Sequence, residues 1–260
     1  MKITCLCENT SFDECFLSEH GLSLLIETDN RRILFDMGQT DVFLKNAEAL
    51  DVDLSKVDIA IVSHGHYDHS GGLGAFLEIN KSAKIYLSKN AFGKFYNKSG
   101  KYIGSDEKLK NLSRLEFVDD YLKLSENIEL FSCNKKEKKY PLDSAGLSID
   151  CDGKILPDVF EHEIYLKIVE GSKSYLISGC SHKGILNICE WFSPDTLVGG
   201  FHFKDIAPDS PSLLKQAEQL LKHHTVYYTC HCTGEEQYKV LKAKMGEKLH
   251  YLRSGKTINL

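Results

Sequence analysis

The segment His64-Gly65-His66-Tyr67-Asp68-His69, followed by Ser70-Gly71-Gly72, is the most informative part of this sequence. It supplies three imidazoles and one carboxylate directly after residues 57–63, whose composition is typical of a buried strand. Imidazole and carboxylate suit zinc, and alternating ligands in a loop that leaves a strand can serve two ions. We therefore expect His64 and His66 to bind one ion, and Asp68 and His69 to bind another. A solvated polar loop is the structural alternative.

The pattern His-x-His-x-Asp-His with a following Gly-Gly resembles the signature of the metallo-β-lactamase superfamily. The resemblance implies a four-layer αββα sandwich of the α/β (α+β) class, with the metal ions at one end of the sheets. The alternation of strands and helices along the chain agrees with this sandwich. Such an alternation predicts two sheets packed face to face and covered outside by helices.

Composition narrows the classes of protein. With 260 residues and 42% hydrophobic content, the chain can bury a large core, and we predict a single domain over residues 1–260. No apolar run approaches the length of about 20 residues that crosses a bilayer, and the N-terminus does not resemble a signal peptide. Nine cysteines at irregular spacings favour a reducing compartment, so we expect a cytoplasmic protein without a membrane partner. The net charge of −5 disfavours a nucleic-acid polymer.

Hydrophobic periodicity in the first half predicts strands at 3–7, 22–28 and 32–37, with Asp29-Asn30 as a hairpin turn. A helix is predicted from Thr40, as its cap, to about Leu50.

The second half predicts a hairpin of strands at 162–169 and 173–178, a helix at 184–192, and strands at 196–201 and 225–230. Ser210 and Pro211 have the character of a helix start. Thr233 and Glu236 have the spacing of a capping box. The apolar stripe of the helix after Pro211 is predicted at Leu213, Leu214, Ala217, Leu220 and Leu221.

Two further strand ends carry metal-binding side chains. They are Cys180 and His182, in Ser178-Gly179-Cys180-Ser181-His182, and His231, in Cys230-His231-Cys232. The resemblance implies a Gly-Asp at the first place, with the aspartate bridging both ions, and a histidine ligand at the second. Here Cys180 replaces the aspartate. It is either a thiolate ligand or a buried thiol beside the site.

The third histidine of the superfamily has two candidates here, His162 and His182. We favour His182, because Gly-Cys-Ser-His resembles a narrower subfamily that also shows the motifs found at 19–23, 199–202 and 231–234. Some members of that subfamily are named dihydropterin-ribofuranosyl-aminobenzene-phosphate synthase. His162 is then expected at the substrate.

Three other residues have roles near the metals. Asp36, in Leu34-Phe35-Asp36-Met37-Gly38, matches the strand-end aspartate of the superfamily, and we expect it to accept the distal N–H of a ligand histidine. His202 and His20 are candidates for substrate binding, although each could equally be a structural histidine.

Residues 90–158 form a long segment between the two halves of the expected site. Phe92, Phe95, Tyr96, Lys101 and Tyr102 could line an aromatic pocket that tolerates an anion. The alternative is a lid with a small core of its own.

These residues predict a hydrolase with two divalent ions, zinc first and manganese or iron as alternatives. The ions would activate a bridging hydroxide, and Asp68 would be both a ligand and the group that orients the water. We expect a small anionic ester as substrate, such as a phosphodiester or cyclic phosphate. The alternatives are a non-catalytic small-molecule sensor, a lactone or thioester hydrolase of the same fold, and iron-dependent redox chemistry.

Overall fold

The computed structural model describes all residues from Met1 to Leu260, which divide into two compact units. Unit 1 comprises Met1–Asp119, Ser144–Ile164 and Arg253–Leu260. Unit 2 comprises Asp120–Asp143 and Tyr165–Leu252. The segment 90–158, which we expected to act as one insertion, is therefore shared between both units.

The regular elements alternate along the chain as the sequence predicts. The strands are β1 (Lys2–Cys7), β2 (Ser23–Glu27), β3 (Arg32–Phe35), β4 (Ile59–Val62), β5 (Lys84–Ser88), β6 (Lys94–Tyr96), β7 (Leu115–Val118), β8 (Tyr121–Lys123), β9 (Ile128–Phe131), β10 (Ser148–Cys151), β11 (Lys154–Pro157), β12 (Tyr165–Glu170), β13 (Lys173–Ile177), β14 (Thr196–Val198), β15 (Val226–Thr229), β16 (Leu249–Tyr251) and β17 (Thr257–Asn259). The α-helices are α1 (Val42–Ala49), α2 (Tyr67–Ser70), α3 (Leu73–Ile79), α4 (Ile185–Phe192), α5 (Pro211–Leu220) and α6 (Glu235–Met245). Short 3-10 helices lie at Leu54–Lys56, Glu107–Leu109, His231–Thr233 and Gly246–Lys248.

Unit 1 is built on a mixed sheet of seven strands in the order β17-β1-β2-β3-β4-β5-β7. The predicted hairpin is present, since β2 and β3 pair antiparallel from Leu24 opposite Phe35 to Glu27 opposite Arg32. From β3 onward the pairing is parallel, so the ends of β3, β4 and β5 point the same way. Buried apolar side chains of the strands pack with α1 and α3, among them Leu34, Phe43, Val62, Leu73, Phe76 and Ile85.

The start of α1 differs from the prediction. The helix begins at Val42, and Asp41 rather than Thr40 occupies the N-cap position without a side-chain cap. The Thr40 hydroxyl still accepts a hydrogen bond from the backbone N–H of Val42, at 3.3 Å, so the local turn is the one that the sequence favours.

Unit 1 also contains a small antiparallel sheet in the order β11-β10-β6. β10 and β11 join through Asp152-Gly153, and both residues have positive φ angles, +54° and +87°. Asp-Gly is a preferred pair for such a two-residue turn, a signal that our sequence analysis did not use.

Unit 2 has a seven-stranded sheet in the order β16-β15-β14-β13-β12-β9-β8. Strands β13 to β16 are parallel, and β12 pairs antiparallel with β13 as predicted. The predicted start at His162 is wrong, because β12 begins at Tyr165 and the chain turns before it, with Phe160 at φ +58°. The core of this unit packs against α4, α5 and α6 and includes Tyr165, Leu176, Ile188, Leu197, Phe201 and Tyr227.

Helix α5 begins as predicted. Ser210 accepts a hydrogen bond from the N–H of Ser212, and Pro211 lies in the first turn. Its buried face contains Leu213, Ala217 and Leu220. The prediction that Leu214 belongs to the buried stripe is wrong, because this residue is 44% exposed.

The capping box predicted at Thr233 is wrong. Gly234 is the N-cap of α6, with φ +84°, and no side chain caps this end. The hydroxyl of Thr233 instead accepts the N–H of Phe201 at 2.8 Å and shares a short hydrogen bond with Thr229. Thr233 thus joins the ends of two neighbouring strand loops. None of the helices is long and apolar enough to cross a membrane.

Candidate metal centre

The histidine motif lies at the carboxyl end of a buried strand. β4 ends at Val62, and His66 is the N-cap of the single-turn helix α2. The two glycines that follow allow close backbone contacts, because a Cβ on Gly71 would lie 2.3 Å from the carbonyl oxygen of Gln39 and one on Gly72 would lie 2.1 Å from that of Met37. The loop is therefore packed against the end of β3 and cannot shift freely.

Gly65, in the centre of the motif, offers a direct test of this packing. A Cβ there would lie 2.1 Å from the carbonyl oxygen of Ala91 and 2.7 Å from the ring of Phe95. We expect Gly65→Ala to lower the free energy of unfolding by about 3 kcal/mol and to reduce metal binding, because either the loop or its neighbour must move. Chemical denaturation and metal analysis measure both effects.

Gly74→Ala is the matched control, since no atom lies within 4 Å of a Cβ at this position in α3. It should raise stability by about 0.5–1 kcal/mol. Equal stability of the two variants would show that the motif loop is not tightly packed.

The three motif imidazoles are grouped and buried. The ring centroids of His64 and His69 are 4.1 Å apart, and those of His64 and His66 are 4.6 Å apart. Ring nitrogens of each of these pairs approach within 4.8 Å. Burial, reinforced by the charge of His162, lowers the pKa of His66 to about 3. His66 is therefore a neutral imidazole at pH 7, the form that binds metal.

Asp36 fixes the orientation of two of these histidines. It is fully buried, and its carboxylate accepts the Ser63 N–H at 2.6 Å, the Ser63 hydroxyl at 2.7 Å and Nδ1 of His69 at 2.6 Å. The single Ser63 proton points to Asp36, so Nδ1 of His64, 2.8 Å from Ser63 Oγ, must be the donor of that contact. Both imidazoles then present Nε2 as an acceptor for a metal ion.

Asp68 and His20 are in contact. Nε2 of His20 lies 3.1 Å from Oδ2 of Asp68, and the His20 side chain is 38% exposed while that of Asp68 is 11% exposed. His20 therefore touches the motif carboxylate from the solvent side. It occupies a place where it could meet a substrate or hold Asp68 in position.

His162 is also near the motif but has both ring nitrogens in hydrogen bonds. Its Nδ1 accepts the N–H of Gly65 at 2.9 Å, and its Nε2 lies 3.0 Å from Oδ2 of Asp158. The ring is 1% exposed and stacks on Phe95 at 3.9 Å. In this arrangement, His162 supports the backbone between His64 and His66.

A second group of donors lies within unit 2. Cys180 follows β13, His231 follows β15, and the sulfur of Cys232 joins them with all three ligand atoms within 4.8 Å of one another. All three residues are buried. We call Cys180, His231 and Cys232 the cysteine cluster. The neighbouring parallel strands β13, β14 and β15 bring it together, because their carboxyl ends meet at one edge of the sheet.

His182 and His202 form a pair beside this edge. Their ring centroids are 4.4 Å apart, and His182 is buried. Gly199, after β14, could not carry a side chain because a Cβ would lie 2.1 Å from the carbonyl oxygen of Ser178. The loop holding His202 thus lies directly against the one holding Cys180 and His182.

Left-handed backbone marks these loops. Asp36, Ser181, His202 and His231 have φ between +50° and +60°, a conformation that costs a residue other than glycine about 1 kcal/mol or more. Such strain concentrates at functional sites because the surrounding structure must hold it in place.

The donors present fit divalent metal ions. Unit 1 supplies imidazoles and a carboxylate, and unit 2 supplies imidazole with thiols, which are the nitrogen, oxygen and sulfur ligands of zinc sites. Two residues of these clusters were missed from the sequence, Cys232 and Asp158. The spacing of Asp158 and His162, four residues apart, and the adjacency of Cys232 to His231 were the available signals.

The fold and these clusters define a mixed α/β protein with a histidine-rich candidate metal centre. Residues 19–198 match the family model of the metallo-β-lactamase superfamily. An uncharacterised protein of Methanocaldococcus jannaschii is 32% identical over 244 residues, which cover 89% of this chain and 90% of the relative. The chain therefore belongs to the metallo-β-lactamase superfamily, and the predicted fold class is confirmed.

Two other similar proteins cover the whole chain. The solved structure of Tm1679, a metal-dependent hydrolase of the β-lactamase superfamily, superposes with a TM-score of 0.84 at 30% identity, over 100% of this chain and 99% of the other. The 7,8-dihydropterin-6-methyl-4-(β-D-ribofuranosyl)-aminobenzene-5'-phosphate synthase of Methanocaldococcus jannaschii is 29% identical, over 99% of this chain and 96% of its own length. The second similarity confirms the resemblance to the pterin-synthase subfamily.

Proposed function

We propose that this protein is a metal-dependent hydrolase with two divalent ions, mainly zinc, that acts on a small anionic ester such as a phosphodiester or cyclic phosphate. The observation that carries the proposal is the buried group His64, His66 and His69 in a chain of this superfamily, in which Ser63 and Asp36 orient His64 and His69. The fold alone does not require buried imidazoles in fixed orientations, whereas a metal site does. The similarity to a metal-dependent hydrolase over the full chain supports the same assignment.

His64, His66, Asp68 and His69 of the motif, together with His182, His231 and Cys180, are the proposed ligands. Ions bound there would lower the pKa of bound water towards about 7 and hold an anionic oxygen of the substrate. Asp68 would accept a hydrogen bond from the attacking water, and His20, at 3.1 Å, would hold the carboxylate in place. His202 would contact the substrate beside His182.

The metal content is the first expected result. Protein purified without chelator should contain about two divalent ions per chain, mainly zinc, because seven candidate ligands follow the ends of several strands. Elemental analysis of the purified protein measures this. Iron with oxygen consumption would point to redox chemistry instead, and an absence of metal would favour a sensor.

The substrate class is tested with a panel of p-nitrophenyl phosphodiesters, cyclic nucleotides, lactones, thioesters and penicillins, in the presence of zinc or manganese. We expect turnover of the phosphodiesters, because two cations can hold opposite oxygens of an anionic ester. Turnover of lactones or thioesters alone would refute the phosphodiester and leave the hydrolase. Complete inactivity together with tight binding of a small molecule would refute the hydrolase itself.

The whole-length similarity to the pterin-pathway enzyme favours a second candidate, a synthase. The product named for that relative combines a dihydropterin, an aminobenzene and a ribofuranosyl phosphate. Formation of such a conjugate from a phosphorylated ribose and an aromatic amine, detected by mass spectrometry, would establish the synthase and displace the hydrolase.

A further inference from the structure

The small sheet of unit 1 forms one wall of a cavity. Phe95, Ile149 and Leu156 are in register across β6, β10 and β11. Paired residues of antiparallel strands share a face, and Cys151, two positions after Ile149, shares that face too. These four side chains line a cavity of about 530 Å³. The size is that of a small-molecule site.

The rest of the cavity also belongs to unit 1. Phe92 contributes a half-buried aromatic ring, and the buried residues Asp158 and His162 close the inner end. None of the four metal-binding side chains of the motif lines it. A molecule in the cavity would instead contact His162, whose Nδ1 accepts the N–H of Gly65 in the motif.

The cavity is lined by charges of both signs, the lysines Lys89 and Lys110 and the carboxylates of Asp158 and Glu161. Lys89 and Lys110 both line it, and the Lys89 ammonium is held by Asp119 at 2.5 Å. Lys110 forms no ion pair within the protein. The carboxylate of Asp158 is occupied by the N–H of Phe160 at 2.7 Å and by His162. Lys110 is therefore the lining cation that can pair with the anionic group of a ligand.

A second groove of unit 1 provides the contrast. It has a volume of about 410 Å³ and apolar walls that include Leu44, Val52 and Ile79. Its charged residues are Glu48, Asp51 and Asp53, with no lysine or arginine among them. This groove should repel an anion that the lysine-bordered cavity accepts.

We propose that the cavity lined by Phe92, Ile149, Leu156 and Lys110 binds a planar aromatic molecule that carries one anionic group. The aromatic body lies between Phe92 and the apolar wall of the small sheet, and the anion pairs with Lys110. None of the proposed metal ligands lines the cavity, and its inner end adjoins the motif at His162. Its occupancy therefore does not depend on the hydrolase assignment, and the two proposals can fail independently.

Two fluorescent dyes test the site, 8-anilinonaphthalene-1-sulfonate and its uncharged counterpart N-phenyl-1-naphthylamine. We expect the sulfonate to bind at one site per chain and more tightly than the uncharged dye, with the same affinity after treatment with a chelator. Binding that disappears with the metal, or equal affinity for both dyes, would overturn the proposal.

Variants locate the bound dye. Leu156→Trp fills the cavity and should remove the site, whereas Val52→Trp in the acidic groove should not. Lys110→Gln should weaken binding of the sulfonate about threefold to fivefold and leave the uncharged dye unchanged, as expected for an exposed ion pair. Lys108→Gln, in the 3-10 helix that Lys110 caps but outside the cavity, is the control.

Circular dichroism and unfolding curves establish that each variant is folded, since a loosened core would also bind the dye. Loss of binding in Val52→Trp with retention in Leu156→Trp would place the dye in the wrong groove. An equal effect of Lys108→Gln and Lys110→Gln would refute the role of Lys110.

Discussion

We expect His182→Ala to lower the metal content by about one ion per chain and to reduce hydrolysis by more than about 100-fold, while His162→Ala retains both ions. The two histidines compete for one role in the superfamily pattern. The hydrogen bonds separate them, because both ring nitrogens of His162 are used, by Gly65 at 2.9 Å and by Asp158 at 3.0 Å.

The His162 variant should nevertheless be less stable, by about 1–3 kcal/mol, because it leaves the Gly65 N–H and the Asp158 carboxylate without these partners. The two variants thus have opposite signatures in elemental analysis and in denaturation. Loss of metal from His162→Ala, with full metal in His182→Ala, would reverse the ligand assignment.

Cys180 requires a separate measurement. If its thiolate binds metal, the cobalt-substituted protein should show a thiolate-to-metal charge-transfer band that Cys180→Ser removes. The cysteine cluster also contains Cys232, whose thiol donates to the carbonyl of Cys180 at 3.5 Å. Cys232→Ser is therefore the matched control. A band that depends on Cys232 alone would move the ligand to that residue.

Asp36→Asn should lower metal affinity about 10–100-fold while the protein remains folded. The amide can still accept the Ser63 N–H, but its NH₂ group would face Ser63 Oγ and Nδ1 of His69, where the carboxylate now accepts. His69 would have to change tautomer, which places a proton on the nitrogen that should bind metal. Asparagine tolerates the positive φ of this residue.

Asp51→Asn is the matched control, because Asp51 is exposed and also has a positive φ, +54°. Ser63→Ala removes the partner of His64 and one hydrogen bond to Asp36 but leaves the contact between Asp36 and His69, and so should have a smaller effect than Asp36→Asn. Titration with zinc against a chromophoric chelator measures each affinity. An unchanged affinity in Asp36→Asn would show that the orientation of His69 does not depend on Asp36.

Local sequence patterns predicted the structure correctly where a feature depends on residues within a single element or turn. The run 57–63 predicted a strand, which is present as β4, and the predicted loop follows it, except that Tyr67–Ser70 form the single turn α2. The hairpin of β2 and β3 and the cap at Ser210 were also correct, because turn residues and caps act within a few positions of the chain.

Local patterns failed where a distant partner competes for the same group. Thr233 has the spacing of a capping residue, yet its hydroxyl bonds with Phe201 and Thr229 instead. The apolar stripe of α5 was too wide at Leu214, because the neighbouring elements cover only part of the helix face. In both cases the local sequence allows two conformations of similar energy, and packing against distant residues determines which one is adopted.

The superfamily and the strand ends near which Cys180, His182 and His231 lie could be predicted from the sequence, since residue types and their spacing are properties of the chain. The hydrogen bonds of His162 depend on tertiary structure. Its Nδ1 accepts the N–H of Gly65, 97 residues away in the chain, and its Nε2 lies 3.0 Å from the Asp158 carboxylate. Likewise, Phe95, Ile149 and Leu156 line the cavity together because the register of β6, β10 and β11 places them side by side. This register depends on pairing between distant segments, so no single segment of the sequence predicts it.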